Sequence, residues 1–138
     1  MKNASVVLQL QQATHATLQV LAAELADLGL TASDLNALGN LADGRARTVS
    51  ELGAAAGTKP ATMTGILDRL ERRGLVTRAA RPGDRRAVLV ELTEDGAQAA
   101  GRIRRTMNAL ERRALAGLPA GSVYGARAVL RALAEAGR

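Results

Sequence analysis

Apolar residues recur at three- and four-residue steps along most of this chain, which is the spacing of amphipathic helices. The pattern predicts helices over residues 5–28, 31–44, 48–57, 60–73, 93–115 and 119–136. Capping boxes mark two of the starts, one between Thr31 and Asp34 and one between Thr48 and Glu51. At the fourth helix, Thr58 is the expected N-cap, with Pro60 in the first turn where its missing N–H costs nothing.

The helical spacing breaks after Leu75. Two short stretches, residues 76–80 and 87–92, are predicted to be extended, and apolar residues alternate in the second. Between them, Pro82 and Gly83 fit the central positions of a type II turn, since Pro fixes φ and Gly tolerates a positive φ. We therefore predict a two-stranded hairpin with a basic tip.

Two short helices joined at Gly57 and Thr58, followed by a hairpin, are typical of a winged helix-turn-helix. The predicted fold class is mainly α with a small β wing, and the second short helix has the shape to enter a DNA major groove. Small and hydroxyl side chains near its start would let it sit deep in that groove. The candidate DNA-binding residues at this helix are Thr58, Lys59, Pro60, Ala61, Thr62, Thr64, Gly65 and Arg69.

The hairpin lies in the densest basic stretch of the chain. Residues 69–86 contain seven arginines but only two acidic residues. An arginine at a hairpin tip fits the narrow, electronegative minor groove beside a filled major groove. Asp84 is expected to hold such an arginine extended through a carboxylate–guanidinium pair. The candidate DNA-binding residues of the hairpin are Arg78, Arg81, Asp84, Arg85 and Arg86.

The charge balance supports a polyanionic partner. The chain has 19 Lys and Arg against 13 Asp and Glu, a formal charge of +6, and a basic protein attracts nucleic acid or anionic membranes. No segment approaches the ~20 apolar residues that span a bilayer, so we expect a soluble, cytoplasmic protein without a membrane partner. Cysteine is absent, His15 is the single histidine, and no phosphate-binding loop is present. We therefore predict no enzymatic activity, no metal site and no cofactor.

Several motifs occur together at spacings that resemble the MarR family, named for regulators of multiple antibiotic resistance. They are SEL at residues 50–52, LERRGLV at 70–76, DRR at 84–86 and LTEDG at 92–96. The resemblance is close over residues 31–97, whereas the flanking helices agree in number and length rather than in motif. The joint occurrence of these motifs is specific, although each alone is weak.

The resemblance implies a homodimer whose N-terminal helix and two C-terminal helices interleave, so that two recognition helices read a pseudo-palindromic operator in double-stranded DNA. It also implies that Arg86 enters the minor groove. We expect a single domain over residues 1–138, in which 31–95 bind DNA while 1–30 and 96–138 dimerise. Family members commonly bind small anionic aromatic effectors in a cleft between these regions, which implies a repressor released by such a molecule. The only aromatic residue is Tyr124, so stacking partners for an aromatic effector are scarce.

A second function class stays open on the sequence alone. Winged helices also serve as assembly platforms, and the basic face could bind an acidic protein partner. The ordinary interpretation of an arginine run is a solvated surface, but its place at a hairpin tip favours contact with nucleic acid. Small and hydroxyl residues at 61, 62, 64 and 65 suit a DNA groove better than a protein interface.

Overall fold

The computed structural model describes residues 5–137. Its elements are α1 (Val6–Glu24), a short 3-10 helix (Ala26–Leu28), α2 (Ala32–Gly39), β1 (Arg47–Thr48), α3 (Val49–Ala56), α4 (Pro60–Arg72), β2 (Val76–Arg81), β3 (Asp84–Leu92), α5 (Glu94–Leu115) and α6 (Ala120–Ala136). The described chain forms two compact units that divide between Met107 and Asn108. The predicted fold class, mainly helical with a small β wing, is confirmed. Within residues 5–137, no helix is both long and apolar enough to cross a membrane.

The core of the first unit is built from the aliphatic side chains that the helical spacing predicts to point inward. They come from α2 and the turn after it (Leu35, Leu38 and Leu41), from α3 (Leu52) and from α4 (Met63, Ile66, Leu67 and Leu70). Full burial of one such side chain contributes about 1.5–3 kcal/mol. This cluster therefore fixes α4 firmly against α2 and α3, with which it packs.

Both predicted capping boxes are present. At α2, the Thr31 hydroxyl accepts from the backbone N–H of Asp34 at 3.1 Å, and the Asp34 carboxylate accepts from the N–H of Thr31 at 3.3 Å. At α3, the corresponding distances between Thr48 and Glu51 are 3.0 and 2.9 Å. Each box satisfies two backbone donors that a helix start would otherwise leave unpaired.

Three predicted helix boundaries are wrong in detail. The second helix, predicted to run to Gly44, ends at Gly39. The first helix does not run to residue 28: α1 ends at Glu24, and a 3-10 turn follows that closes at Gly29 with φ 63°. Thr58 is not the N-cap of α4, because Pro60 is the first helical residue and Lys59 before it is extended, with ψ 149°. Proline disfavours the helical conformation at the preceding residue, so the cap position falls on Lys59. The Thr58 hydroxyl instead donates to the carbonyl of Ala56 at 3.4 Å.

The wing is a three-stranded antiparallel sheet in the order β1-β3-β2, rather than the two-stranded hairpin predicted. The added strand, β1, is only two residues long and pairs Arg47 with Val90 and Thr48 with Leu89. A run this short carries no periodicity that a sequence could reveal. The predicted hairpin turn is confirmed: Arg81 pairs with Asp84, and Gly83 between them has φ 82°.

The motif LTEDG is explained by the way α5 is attached to the wing. The Thr93 hydroxyl donates to the carbonyl of Gly74 at 2.6 Å and accepts from the N–H of Gly96 at 3.0 Å. A Cβ at Gly96 would lie 1.8 Å from the carbonyl oxygen of Leu75, so only glycine fits there. The start of α5 is thereby held against the junction of α4 and β2.

The second unit consists of the end of α5 and α6. None of the described residues of α6 is buried. Its apolar side chains are exposed instead, including Tyr124 at 79%, Val129 at 45% and Leu130 at 47%. Several exposed apolar side chains on one helix are typical of a surface that another chain covers.

Candidate nucleic-acid interface

The exposed face of α4 carries most of the first predicted set. Lys59, Pro60, Ala61, Thr62 and Thr64 are exposed, whereas Thr58 and Gly65 are half-buried. The opposite face of the helix is packed into the core, so these residues are presented on a rigid support. Their side chains are short apart from Lys59, which leaves room for a close approach to a groove.

The two hydroxyls of this face differ in their bonding. The Thr64 hydroxyl donates to the carbonyl of Pro60 at 3.0 Å, one turn back along α4. Within residues 5–137 the Thr62 hydroxyl makes no hydrogen bond and keeps its donor for a ligand. The Thr62 hydroxyl is therefore the better placed of the two to donate to a base or a phosphate.

Arg69 also lies on α4, but its guanidinium is already engaged. It forms an ion pair with Asp34 of α2, with 3.0 Å between Nη2 and Oδ1. The Asp34 side chain is 5% exposed and that of Arg69 is 46% exposed. Breaking a buried pair leaves an uncompensated charge, so Arg69 is held in place beside α2. Its contact with DNA stays a prediction.

Arg78 of β2 is bound more tightly still. Its guanidinium lies 2.7 Å from Asp68 and 3.0 Å from Glu71, both on α4, and its side chain is 23% exposed. Hydrogen bonds to Glu71 and then to Asp68 raise the pKa of Arg78 above its ordinary value. Arg78 thus ties the wing to α4. A direct DNA contact by Arg78 also stays a prediction.

The arginines of the wing tip behave differently. Arg81, Arg85 and Arg86 are all exposed. None of the three donates a side-chain hydrogen bond or forms an ion pair within residues 5–137. Their charge is therefore available to an external anion.

The expected pair between Asp84 and an arginine guanidinium is not formed. Asp84 instead accepts from the backbone N–H of Arg86 at 3.0 Å. Aspartate commonly bonds its own backbone two residues on, which stabilises a tight turn. Asp84 therefore shapes the wing tip rather than extending Arg86.

A basic groove of about 560 Å³ lies between the start of α3, α4 and the wing. Arg78, Arg81 and Arg86 line one side, and Thr64 of α4 contributes to it. The groove brings the predicted helix and hairpin residues to one place. Its charge suits a phosphate backbone, because cations there release the counterions of the DNA.

The groove also contains residues that the sequence reasoning missed, namely Thr48, Val49 and Ser50 at the start of α3. The capping box satisfies the N–H groups of Thr48 and Glu51, and those of Val49 and Ser50 remain to bind an anion. Hydrogen bonds from the backbone N–H and then the side chain of Thr48 lower the pKa of Glu51, with smaller contributions from Arg81 and Arg47. The capping box of Thr48 and Glu51 is visible in the sequence. It could have identified the start of α3 as a candidate anion-binding position.

No group of three or more potential metal ligands comes together anywhere in the described stretch of the chain. A packed helix-turn-helix with small residues facing outward, flanked by a wing with exposed arginines, is the winged helix-turn-helix arrangement.

Comparison with known proteins agrees with this architecture. Residues 28–87 match the family model described as the MarR family. The chain is 44% identical over 71 residues to the HTH-type transcriptional repressor NicR of Pseudomonas putida, a match that covers 51% of this chain and 45% of the relative. It is 44% identical over 50 residues to the organic hydroperoxide resistance transcriptional regulator of Bacillus subtilis, covering 36% of this chain and 34% of the relative. The matches thus span less than half the length of these curated relatives.

The likeness to solved structures extends over nearly the whole chain. The transcriptional regulator PA4135 superposes with a TM-score of 0.80 at 28% identity, covering 96% of this chain and 98% of that one. NadR, solved with 4-hydroxyphenylacetate, superposes with a TM-score of 0.86 at 26% identity, covering 97% and 95%. The central part of this chain, residues 28–87, is therefore similar to the MarR family.

Proposed function

We propose that this protein is a homodimeric, sequence-specific regulator of transcription that binds double-stranded DNA. The observation that carries the proposal is the groove where the outward face of α4, the start of α3 and the unpaired wing arginines meet. Affinity would come from phosphate contacts, sequence preference from base contacts by α4, and groove-shape recognition from the wing.

Each part of the interface takes a distinct role in this proposal. Residues 58–65 would enter the major groove, where Ala61 and the threonine methyls can contact thymine methyls. Arg86 would reach the adjacent minor groove, as the family resemblance implies. Arg81, Arg85 and the start of α3 would contact phosphates. Asp84 would act indirectly, by fixing the turn that presents Arg86.

Dimerisation is supported by the apolar side chains that each unit leaves exposed. In the first unit these are Val6, Val7, Leu8 and Leu18 of α1, and in the second Leu118, Tyr124, Val129 and Leu130. A second copy that covered both sets would form a self-complementary interface. The two reading heads of a dimer would then meet half-sites about one helical turn apart.

A small molecule is the proposed signal. NicR is a repressor, NadR was solved with 4-hydroxyphenylacetate, and BpsR of Bordetella bronchiseptica has its DNA binding regulated by 6-hydroxynicotinic acid. BpsR is 26% identical to this chain with a TM-score of 0.77, covering 94% of this chain and 92% of that one. By analogy, this protein would repress its target genes until a small molecule releases it. We assign it no enzymatic activity and place it in the cytoplasm, where its DNA would be.

The proposal is tested by selecting from random duplexes with the purified protein at two salt concentrations and sequencing what is retained. Enrichment of an inverted repeat, with retention that falls steeply as salt rises, is expected. Retention without an enriched sequence would contradict sequence-specific regulation. An absence of retention at low salt would favour the second function class, a winged-helix module that binds an acidic protein.

A further inference from the structure

The turn between α1 and α2 is bonded from one side by an arginine at the end of α4. This turn is the 3-10 helix Ala26–Leu28, and it closes at Gly29. Arg73, the C-cap of α4, donates to the carbonyls of Leu28 and Gly29 at 2.7 and 3.0 Å. Arginine side chains commonly bond the last carbonyls of a helix, which have no partner within it. The end of α4 is thereby attached to the turn.

The same turn is attached to α5 by an ion pair. Both terminal nitrogens of Arg102 donate to the carboxylate of Asp27, and the bond from Nη2 to Oδ1 measures 2.6 Å. This hydrogen bonding raises the pKa of Arg102 and lowers the pKa of Asp27 from their ordinary values. A bidentate arginine–carboxylate pair is directional as well as attractive. The turn therefore links the end of α4 to α5.

A second attachment of α4 to α5 lies nearer the start of α5. The Thr93 hydroxyl donates to the carbonyl of Gly74, and only glycine fits at Gly96 against Leu75. Gly96 and Arg102 are six residues apart on α5, which is about 9 Å along a helix. One attachment would let α4 tilt about it, whereas two attachments at this separation fix the angle between α4 and α5.

Apolar packing also joins α5 to the helices beside α4, but it does not fix this angle. Ile103 of α5 is buried, and a Cβ at Gly39 of α2 would lie 3.7 Å from its side chain. The burial of apolar surface is non-directional, whereas the bonds of Arg73 and Arg102 require a defined orientation. We therefore expect apolar packing to hold the helices together and the two arginines to set the angle.

The two arginines are expected to add little to the stability of the fold. The side chains of Arg102 and Asp27 are 39% and 62% exposed, and exposed ion pairs stabilise little because water screens them. Arg73 and Gly29 are exposed as well, so water can take the place of the guanidinium at the carbonyls. Loss of either arginine should change the orientation of α4 without unfolding the protein.

We propose that Arg73 and Arg102 are positioning residues that determine the spacing between half-sites accepted by the dimer. The inference rests on the proposed function, because it concerns how two copies of α4 meet one duplex. Helix α5 opens the region 96–138 that is predicted to dimerise. In a two-fold symmetric dimer, a change in the angle between α4 and α5 occurs in both copies and alters the distance between the two recognition helices. Half-site spacing on the duplex mirrors that distance.

The test is selection by the full protein from duplexes that carry two copies of the enriched half-site at systematically varied spacing. The unmodified protein is expected to enrich one spacing. In Arg73→Met and Arg102→Met, the preference for that spacing over its neighbours should fall by roughly fivefold. Affinity for a duplex with a single half-site should stay within about twofold, since the outward face of α4 is unchanged. An unchanged spacing preference, or an equal loss of both quantities, would overturn the proposal.

Each variant has a matched control on the same helix. Arg104→Met removes an exposed arginine of α5 that has no partner within residues 5–137. Arg72→Met removes an arginine that donates to the carbonyl of Asp68, one turn back in its own helix. Both controls should keep the spacing preference of the unmodified protein. An equal loss in the controls would show a general effect of charge and would overturn the proposal.

Exchanging the two charges of the ion pair tests whether the contact itself acts. Asp27→Arg and Arg102→Asp should each lower the spacing preference, because each places two like charges together. The double variant restores an opposite pair in reverse order and should recover most of the lost preference. An absence of recovery would overturn the role given to this pair.

Failure here is distinguishable from failure of the proposed function. If the unmodified protein enriched no spacing, the proposed function would fall and this inference with it. If it enriched one spacing and both arginine variants enriched that spacing equally well, the proposed function would stand and only this inference would fall.

Discussion

The helix α4 and the wing both carry arginines but use them differently. On α4 and at its end, Arg69 pairs with Asp34, Arg72 donates to the carbonyl of Asp68, and Arg73 donates to the carbonyls of Gly29 and Leu28. At the wing tip, Arg81 and Arg86 have no such partners in the described chain. The arginines of α4 are therefore bonded within the protein, whereas those of the wing tip are open to an external anion.

Within the candidate interface, α4 is therefore the rigid part and the wing tip is the part with unpaired charge. Helix α4 is clamped on one side to α2 and on the other to β2, where Arg78 pairs with Asp68 and Glu71. A rigid helix can place short side chains against base edges reproducibly, because little conformational entropy is lost on binding. In the proposed complex the exposed wing would add electrostatic attraction, which carries little sequence information.

The largest expected effect is on stability. It comes from disrupting the close contact of Gly96 in α5 with Leu75, which lies between α4 and β2. In Gly96→Ala the new Cβ would lie 1.8 Å from the carbonyl oxygen of Leu75, between α4 and β2. The backbone must shift, which should lower the free energy of unfolding by about 3 kcal/mol. Urea denaturation followed by circular dichroism measures this loss.

The matched control is Gly101→Ala on the same helix. Its nearest obstacle is the Arg105 guanidinium at 3.2 Å, the mobile end of a long side chain. The gain in helix propensity should make this variant neutral or slightly more stable. If both variants had the same stability, the close approach at Gly96 would not matter.

Next in size is the loss of a wing arginine. Arg86→Ala should weaken binding to the selected duplex by about 1–3 kcal/mol, the scale of one good groove contact. Its unfolding free energy should not change, because the exposed Arg86 side chain has no partner in the described chain. Arg104→Ala removes an exposed charge from α5 and is the control. Equal affinity of the two variants at fixed salt would contradict the wing assignment.

A smaller loss of DNA affinity is expected from Arg78→Met, a change that keeps the length of the side chain but removes both ion pairs. Affinity for the duplex should fall by about 1 kcal/mol because the wing loses its tie to α4. The slope of log affinity against log salt should not change, since no phosphate contact is lost. In the Arg86→Ala background the effect should shrink, as expected for a residue that acts by positioning the wing. A slope that falls by about 0.9 per site would instead show a direct phosphate contact.

The smallest effect is a dependence of protein stability on pH, which arises from Glu51 at the start of α3. Hydrogen bonds from Thr48 lower the pKa of Glu51 below 4.5 in the folded protein. A lowered folded pKa contributes stability above the unfolded value, and this contribution is lost as pH falls through the folded pKa. The melting temperature of the protein should therefore drop toward that of Glu51→Gln as pH is lowered from about 7 to about 3.5. If the difference in melting temperature between the protein and Glu51→Gln were the same at both pH values, the stabilisation would not come from the Glu51 carboxylate.

The parts of the fold that the sequence predicted are those set by local chemistry. Capping boxes at Thr31 and Thr48, the buried face of α4 and the turn at Gly83 depend on residues within a few positions of one another. The two-residue strand β1 depends on pairing with residues some forty positions away. Its own side chains carry no signal of that pairing.

In the candidate site, too, the sequence did not predict contacts between residues far apart in the chain. Sequence spacing located the helix and the wing, but it could not show that Arg69 is neutralised by a carboxylate 35 residues earlier in the chain. Likewise, the pairing of Arg78 with Asp68 follows from the packing of β2 against α4. A count of arginines therefore overestimates the charge that is free to bind DNA. The DNA-contact roles of these residues and the predicted domain bounds remain predictions.

The most direct test of this account is the salt dependence of duplex binding when Arg81, Arg85 and Arg86 are all replaced by alanine. The free wing arginines should supply most of the phosphate neutralisation. The slope of log affinity against log salt is therefore predicted to fall in magnitude by about 4 for a dimer, which loses the four phosphate contacts of Arg81 and Arg85. A slope equal to that of the unmodified protein would contradict the account and would show that the charge for DNA binding comes from elsewhere in the chain.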